Sequence, residues 1–196
     1  MRGLTGQSRL AGRLGCVMAL LLLLVLPVAA AAEEPGIALN RADVSVDEGG
    51  IYFDAHYQVV LSREADRALR SGVPLVLATA TRVVRPRWWW WNAEIQGNEV
   101  RKELRYHALS RRYVVVDQRS GDKRTFFRRE AALDAWSSID RHRVIERARL
   151  SSDGGYLLEA RARLDLDALP YPLRTVAQVS PEWRLTSEWQ SWPLDG

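Results

Sequence analysis

Residues 82–92, RVVRPRWWWWN, combine arginines and tryptophans, the residue types most typical of a recognition surface. Successive side chains of an extended strand point to opposite faces. We expect Trp88 and Trp90 to enter the core together with Val84, because the even positions upstream are apolar except for Arg82. A guanidinium stacked on an indole gains about 0.5–1 kcal/mol. The more polar face is the candidate partner-binding site, and it comprises Arg85, Arg87, Trp89 and Trp91.

Two readings of this arginine–tryptophan face stay open. In one, the face is a platform for a partner protein, a glycan or the membrane interface, since exposed aromatic patches with arginine are typical of binding surfaces. In the other, a helix or the tail with Trp189 and Trp192 covers the face. The indoles would then supply the large apolar area that a core without disulfides needs.

The three histidines, His56, His107 and His142, show no spacing typical of metal sites. Neither H-x-H, H-x-x-x-H nor H-E-x-x-H occurs. We expect His56 and His107 on outer strand faces or in local hydrogen bonds. The sequence therefore predicts neither a metal site nor a cofactor.

Sequence motifs of catalysis are also missing. The chain lacks the G-x-S-x-G of hydrolases and a glycine-rich phosphate loop. Asp165 and Asp167 follow Arg161 and Arg163 on one strand face, which predicts a solvated charged surface. We therefore expect a binding protein and not an enzyme. A periplasmic hydrolase of cell-envelope material is the alternative, because distant serine, histidine and aspartate residues can meet in the fold. A carbohydrate-binding module is a third reading.

The first 32 residues have the pattern of a secretory signal peptide. Arg2, Arg9 and Arg13 precede an apolar run at residues 16–26, and Ala30 and Ala32 form a small-residue cleavage site. We expect cleavage after Ala32, which leaves residues 33–196 as one β-rich periplasmic domain. The alternative is an uncleaved inner-membrane anchor facing the periplasm. Only 17 apolar or small residues precede the cleavage site, whereas a spanning helix needs about 20.

The charge balance of residues 33–196 argues against nucleic acid as a partner. Three of the 28 basic residues and none of the 24 acidic residues precede residue 33, so 25 − 24 leaves +1. Arginines and acids also alternate along the chain, whereas nucleic-acid binding surfaces are strongly basic. The one cysteine, Cys16, lies in the leader, so disulfides and thiolate chemistry are excluded from the domain.

Period-two patterns predict the elements that hold these residues. Residues 42–46 and 51–61 form a hairpin around DEGG, and residues 143–150 and 156–166 form a second pair. One long strand over residues 73–92 bends at Pro86, two more cover residues 100–109 and 111–119, and a last one covers residues 183–189. Helices are expected at residues 62–72, with Ser62 as N-cap, and 128–139. The fold class is mainly β, an antiparallel sandwich (immunoglobulin-like or open-barrel-like) with two short helices.

Five motifs together resemble a known family. They are GVPL at residues 72–75, RPRWWWW at 85–91, LRYHALSRRYVV at 104–115, LPYPLR at 169–174 and WRLTSEWQSW at 183–192. They resemble exported proteobacterial proteins of the DUF4390 type, a domain of unknown function. The resemblance implies an exported single-domain protein without assigned catalytic residues. Genes of such proteins often neighbour a membrane sensor kinase, which implies envelope signalling and the outer domain of a sensor as partner.

Overall fold

The computed structural model of the protein describes residues 34–86, 93–150 and 155–194. The strands are β1 Gly36–Asp47, β2 Gly50–Val60, β3 Leu75–Arg85, β4 Ala93–His107, β5 Arg112–Asp117, β6 Lys123–Phe126, β7 Ser138–Ile145, β8 Tyr156–Leu164 and β9 Gln190–Leu194. The helices are α1 Arg63–Arg70, α2 Arg129–Ser137 and α3 Leu173–Val179. Short 3-10 turns cover Arg147–Arg149, Leu166–Ala168 and Pro181–Trp183.

Two antiparallel sheets pack as a sandwich, which confirms the mainly β fold class. The small sheet has the order β1-β2-β7, and the large sheet has the order β6-β5-β4-β3-β8-β9. Residues from both sheets form one core; Phe53 of β2, for example, lies 5.3 Å from Trp192 of β9 between ring centroids. None of the helices in the described residues is long and apolar enough to cross a membrane.

Strand alternation fixes the inward faces of β2 and β8. The predicted inward side chains Ile51, Phe53, Ala55 and Tyr57 of β2 are buried. On β8 every second side chain is buried as expected, namely Tyr156, Leu158, Ala160, Ala162 and Leu164. The apolar parity of the sequence therefore predicted the core side of both strands correctly.

The hairpin between β1 and β2 is confirmed, with Asp47 paired to Gly50 at its end. The Asp47 carboxylate accepts hydrogen bonds from the backbone N–H groups of Gly49 (2.8 Å) and Gly50 (3.1 Å). Gly50 has a φ of 151°, and a Cβ there would lie 2.3 Å from the carbonyl oxygen of Ile145. Only glycine fits where the hairpin passes so close to β7.

The second predicted hairpin is wrong. β7 pairs with β2 in the small sheet, whereas β8 pairs with β3 in the large sheet. Arg147–Arg149, expected to extend a strand, form a 3-10 turn where the chain crosses between the sheets. Alternation shows which face of a strand is buried but carries no information about the neighbouring strand.

The expectation for β3 is correct for its even face, where Val76, Ala78 and Val84 are buried, but wrong for its odd face, which is buried too. The main core contains the odd-numbered residues Leu75, Leu77 and Val83 of this strand. Thr79 and Thr81 share that parity, and their side chains are 2% and 1% exposed. Their polarity suggested an outer face, but small threonines fit beside the alanines of β8 (Ala162 and Ala160) with which they pair. The expected positions of Trp88 and Trp90 lie outside the described residues.

Both predicted helices are present, and a third follows β8. On α2, Ala132 and Trp136 are buried as expected, whereas Ile139 lies on β7 and not on the helix. The third helix, Leu173–Val179, begins directly after Pro172 and was not predicted from the sequence. Proline at a helix start costs no hydrogen bond, so the prolines of residues 169–174 permit a helix immediately after them.

Helix α1 supports a test of its N-cap. The Ser62 hydroxyl accepts a hydrogen bond from the Ala65 N–H at 3.2 Å, and the Ser62 side chain is buried. We expect Ser62→Ala to lower the free energy of unfolding by ~1 kcal/mol, because that N–H loses its partner. Urea unfolding followed by circular dichroism measures the difference. Ser71→Ala, which removes an exposed hydroxyl at the other helix end, is the control, and an equal loss in both variants would contradict the capping role.

Candidate functional site

A polar cleft of about 790 Å³ opens between the two sheets, where β7 faces β4 and β5. The turn after β5 and the strand β6 close its other side. Its wall includes apolar side chains from both sheets, but charged groups dominate. The charged and imidazole side chains that line it are Lys102, Asp117, Arg119, Asp122, Lys123, Arg124, Asp140, Arg141, His142 and Arg143.

Lys102 lies on the inward face of β4, between the buried residues Val100 and Leu104. Its ammonium group donates to the carbonyl of Ser138 and, at 3.4 Å, to that of Ala135. These carbonyls end helix α2, where the helix dipole favours a positive charge. Burial lowers the pKa of Lys102, while Asp140 and Asp117 act in the opposite direction. The lysine therefore links the large sheet to α2 and β7.

A bulge in β7 turns His142 inward. Its register against β2 shifts between the pairs Phe53–His142 and Ala55–Ile139, and Arg141 in the bulge has a φ of 43°. The Asp54 carboxylate holds the bulge by accepting the Arg141 N–H at 2.8 Å. Because one extra residue reverses side-chain parity, the His142 side chain reaches the interior and is only 7% exposed.

The contact with Arg119 determines the tautomer of His142. Arg119 Nη1 lies 2.8 Å from His142 Nδ1, and a guanidinium can only donate. Nδ1 is therefore the acceptor, and Nε2 carries the proton. Burial and the neighbouring Arg119 lower the pKa of His142 to about 4, so the imidazole is neutral near pH 7. The buried Nε2–H finds no acceptor among the described residues.

Arg119 is presented by a tight turn. Asp117, the last residue of β5, accepts hydrogen bonds from the N–H groups of Arg119 (2.9 Å) and Ser120 (3.2 Å). An aspartate in this role fixes the turn through its side chain. The backbone of Arg119 is thereby held while its guanidinium extends to β7 of the opposite sheet.

The cleft has a positive formal charge. Six lysines and arginines face three aspartates in its lining, and 6 − 3 gives +3 with His142 neutral. Arg141 pairs with Asp47 at 2.7 Å, and Lys102 is bound to carbonyls. Within residues 34–86, 93–150 and 155–194, neither Arg119 nor Arg143 has a carboxylate within 4.0 Å. The arrangement suits an anion that accepts hydrogen bonds.

A smaller cleft of about 310 Å³ on the other side of β7 contains a serine and a histidine. His56 Nδ1 lies 3.1 Å from Ser138 Oγ, and His56 Nε2 lies 3.5 Å from Asp134 Oδ1. The Ser138 hydroxyl donates to the Asp134 carbonyl at 2.7 Å. The imidazole therefore donates to the serine oxygen, opposite to the direction in which a catalytic base accepts the proton.

The outer face of the large sheet carries an internally paired charge network. Trp189 lies between two guanidiniums, 4.2 Å from Arg82 and 4.8 Å from Arg161 by ring centroid. Arg82 also pairs with Glu159 at 2.6 Å. The tail thus covers arginines of this face, while Trp192 packs inward against Phe53.

Asp165, expected on a solvated face, is only 1% exposed. One of its oxygens accepts the Asp167 N–H at 3.1 Å, where it caps the 3-10 turn Leu166–Ala168. The other lies 3.2 Å from Arg101 Nη2 of β4. The expectation failed because the strand ends at Leu164, so parity no longer determines the direction of the next side chain.

Comparison with known proteins identifies the family. The model of a domain of unknown function, DUF4390, matches residues 34–193. The chain belongs to the DUF4390 family. No curated protein and no solved structure matches the chain significantly.

The structure describes only one of the predicted site residues of this DUF4390 domain. Arg85 ends β3, half-buried, with its guanidinium 5.6 Å from the centroid of the Tyr156 ring. Arg87, Trp89 and Trp91 lie outside the described residues. Their assignment to a partner-binding face stays a prediction.

Three residues of the DUF4390 cleft were missed from the sequence. Lys102 was detectable, because a lysine between Val100 and Leu104 occupies a position of apolar parity. His142 was hidden by the bulge, and Arg119 by a turn whose direction depends on the opposite sheet. No group of three or more His, Cys, Asp or Glu side chains that could hold a metal ion occurs in the part of the chain that the structure describes.

Proposed function

We propose that this DUF4390 domain is an exported binding module of the bacterial cell envelope and that its ligand enters the cleft between the sheets. The observation that carries the proposal is the pair of exposed guanidiniums, Arg119 and Arg143, which line the cleft and have no carboxylate partner among the described residues. A guanidinium binds an anionic group through strong, charge-assisted hydrogen bonds. The signal-peptide pattern of residues 1–32 supports export.

The proposed partner is an envelope protein, specifically the outer domain of a sensor kinase. The Arg85, Arg87, Trp89 and Trp91 face is the proposed second contact, because arginine and tryptophan are enriched at interface hot spots. A mature protein starting at Glu33 in the periplasmic fraction would support the cleaved form. Full-length protein in the inner membrane would support the anchored alternative.

Affinity capture from envelope extract tests which surface binds. Wild type is compared with the cleft variant Arg119→Ala/Arg143→Ala and with the strand variant Trp89→Ala/Trp91→Ala. Arg105→Ala is the matched control, because Arg105 is exposed on the outer face and pairs with Glu103 at 2.8 Å. We expect the cleft variant to lose at least nine-tenths of the captured partner, and the control to keep it. Equal capture by wild type and both double variants would contradict the proposal.

A hydrolase of envelope material is the second candidate, and the contacts of His56 with Ser138 and Asp134 favour it. For catalysis the Ser138 hydroxyl must leave the Asp134 carbonyl and donate to the imidazole. A fluorophosphonate probe that labels wild type but not Ser138→Ala would support this candidate. If the probe does not label Ser138 in the native protein, the hydrolase candidate is wrong.

A further inference from the structure

The inter-sheet cleft carries two exposed guanidiniums, Arg119 and Arg143, that have no carboxylate partner among the described residues. Arg119 and Arg143 line both this cleft and an adjoining cavity of about 210 Å³, so they stand at the junction of the two spaces. His142 lines the same cleft and contacts Arg119 through Nδ1 at 2.8 Å, while its Nε2–H is enclosed by the protein. The group that completes this site must therefore be an acceptor.

The two guanidiniums exclude a cation or a neutral donor as their ligand. Both can only donate hydrogen bonds, and Arg119 already donates one to His142 Nδ1. The lining aspartates, Asp117, Asp122 and Asp140, partly offset the cations, yet the lining keeps a charge of +3. Asp117 is moreover occupied by the backbone of its own turn.

We propose that the cleft binds a phosphate group, held by the guanidiniums of Arg119 and Arg143. The proposal rests on the function proposed above and names the ligand class of the same site. A phosphate monoester carries about −1.5 to −2 at pH 7 and offers three strong acceptor oxygens, whereas a carboxylate offers one charge and two oxygens. Two guanidinium forks can satisfy three oxygens together.

The volume of the cleft leaves room for more than the phosphate group. At about 790 Å³ it falls in the range of small-molecule sites, about 300–1,000 Å³. The group can therefore be carried by a soluble phosphomonoester or by an anionic lipid headgroup. The two sources share one recognition chemistry and are separated by experiment.

Histidine-selective ¹⁵N NMR of the full domain tests the site directly, since the chain contains only three histidines. We expect His142 to show the Nε2–H tautomer, and its Nδ1 resonance, beside Arg119, to shift saturably with inorganic phosphate and with glycerol 3-phosphate. His107, exposed at the end of β4, is the internal control and is expected to stay unchanged. An equal shift of His142 with chloride at matched ionic strength would overturn specific phosphate binding.

Variants and vesicles complete the test. We expect Arg143→Gln and Arg119→Gln each to weaken phosphate binding at least tenfold, and Arg105→Gln to leave it unchanged. Arg143 is exposed and outside any ion pair of the described residues, so its variant keeps the fold even if Arg119→Gln does not. Flotation with phosphatidic acid vesicles, against phosphatidylcholine alone, shows whether the group is a lipid headgroup. Unchanged affinity in both glutamine variants would contradict the assignment.

The outcome separates this inference from the proposed function. If partner capture depends on Arg119 and Arg143 but His142 does not respond to phosphate, the binding-module proposal is supported and the phosphate proposal is wrong. If the domain binds phosphate but the cleft variant captures the partner as well as wild type does, the phosphate site is supported. The partner must then bind a different surface.

Discussion

Replacing Trp136 with alanine is expected to lower the free energy of unfolding by ~4 kcal/mol, because truncating a buried tryptophan leaves a large cavity. The Trp136 side chain on α2 is 1% exposed, and its Nε1–H donates to the Lys102 carbonyl at 2.7 Å. It therefore packs α2 against the large sheet where Lys102 faces the cleft. Domains of this size have a free energy of unfolding of about 5–15 kcal/mol. This one substitution therefore removes a large fraction of the total stability.

Urea unfolding followed by far-ultraviolet circular dichroism at pH 7 measures the loss. Trp136→Phe separates packing from the hydrogen bond and is expected to cost only ~1–2 kcal/mol, because most of the apolar volume stays. Leu109→Ala is the control, since Leu109 is 105% exposed and touches no core. If the phenylalanine and alanine variants lost the same stability, the cavity explanation would be wrong.

Local signals in the sequence predicted the parts of the fold that depend on neighbouring residues. The inward face of β8 follows from its own alternation, and the Ser62 cap from its place before α1. The first hairpin follows from Asp47 and the positive φ of Gly50. In each case the decisive interaction joins residues a few positions apart, so the residue types alone suffice.

The failures concern contacts between distant segments. β7 pairs with β2 across more than eighty residues, and its bulge depends on the Asp54 carboxylate. The burial of Asp165 depends on Arg101 from β4. Pairing of this kind is set by the packing of both sheets, and a single strand pattern does not encode it.

The candidate site shows the same difference between local contacts, which the sequence predicts, and contacts between distant segments, which it does not. Lys102 is predictable as an inward lysine, but its acceptors come from the end of α2. The role of His142 depends on a bulge and on Arg119 from the other sheet. The sequence therefore predicts the scaffold of the cleft better than the groups that give it a charge.

Lowering the pH from 6.5 to 4 is expected to reduce the stability of the domain by ~3 kcal/mol through His142. Burial and Arg119 hold the pKa of this imidazole at about 4 in the folded protein, against an ordinary value of 6.5. The difference is 6.5 − 4 = 2.5 units, and each unit is worth about 1.4 kcal/mol. In this window the unfolded chain takes up a proton that the folded domain does not, so unfolding becomes more favourable as the pH falls.

Urea unfolding of wild type and His142→Asn at pH 7.0, 5.5 and 4.5 measures this contribution. Carboxylates also titrate at the acidic end, so the informative quantity is the difference between the two proteins at each pH. We expect the wild type to lose about 2 kcal/mol more than the variant between pH 7.0 and 4.5, because pH 4.5 is still above the pKa of His142 in the folded domain. His107→Asn is the matched control and is expected to follow the wild type.

The same imidazole couples proton binding to the proposed anion site. Arg119 is one cause of the depressed pKa of His142, so Arg119→Gln is expected to raise that pKa while burial keeps it below the ordinary value. A phosphate bound beside Arg119 offsets the same positive charge and must act in the same direction. By linkage, phosphate then binds more tightly to the protonated domain. A His142 pKa that is unchanged by both Arg119→Gln and saturating phosphate would show that the guanidinium and the imidazole are not coupled.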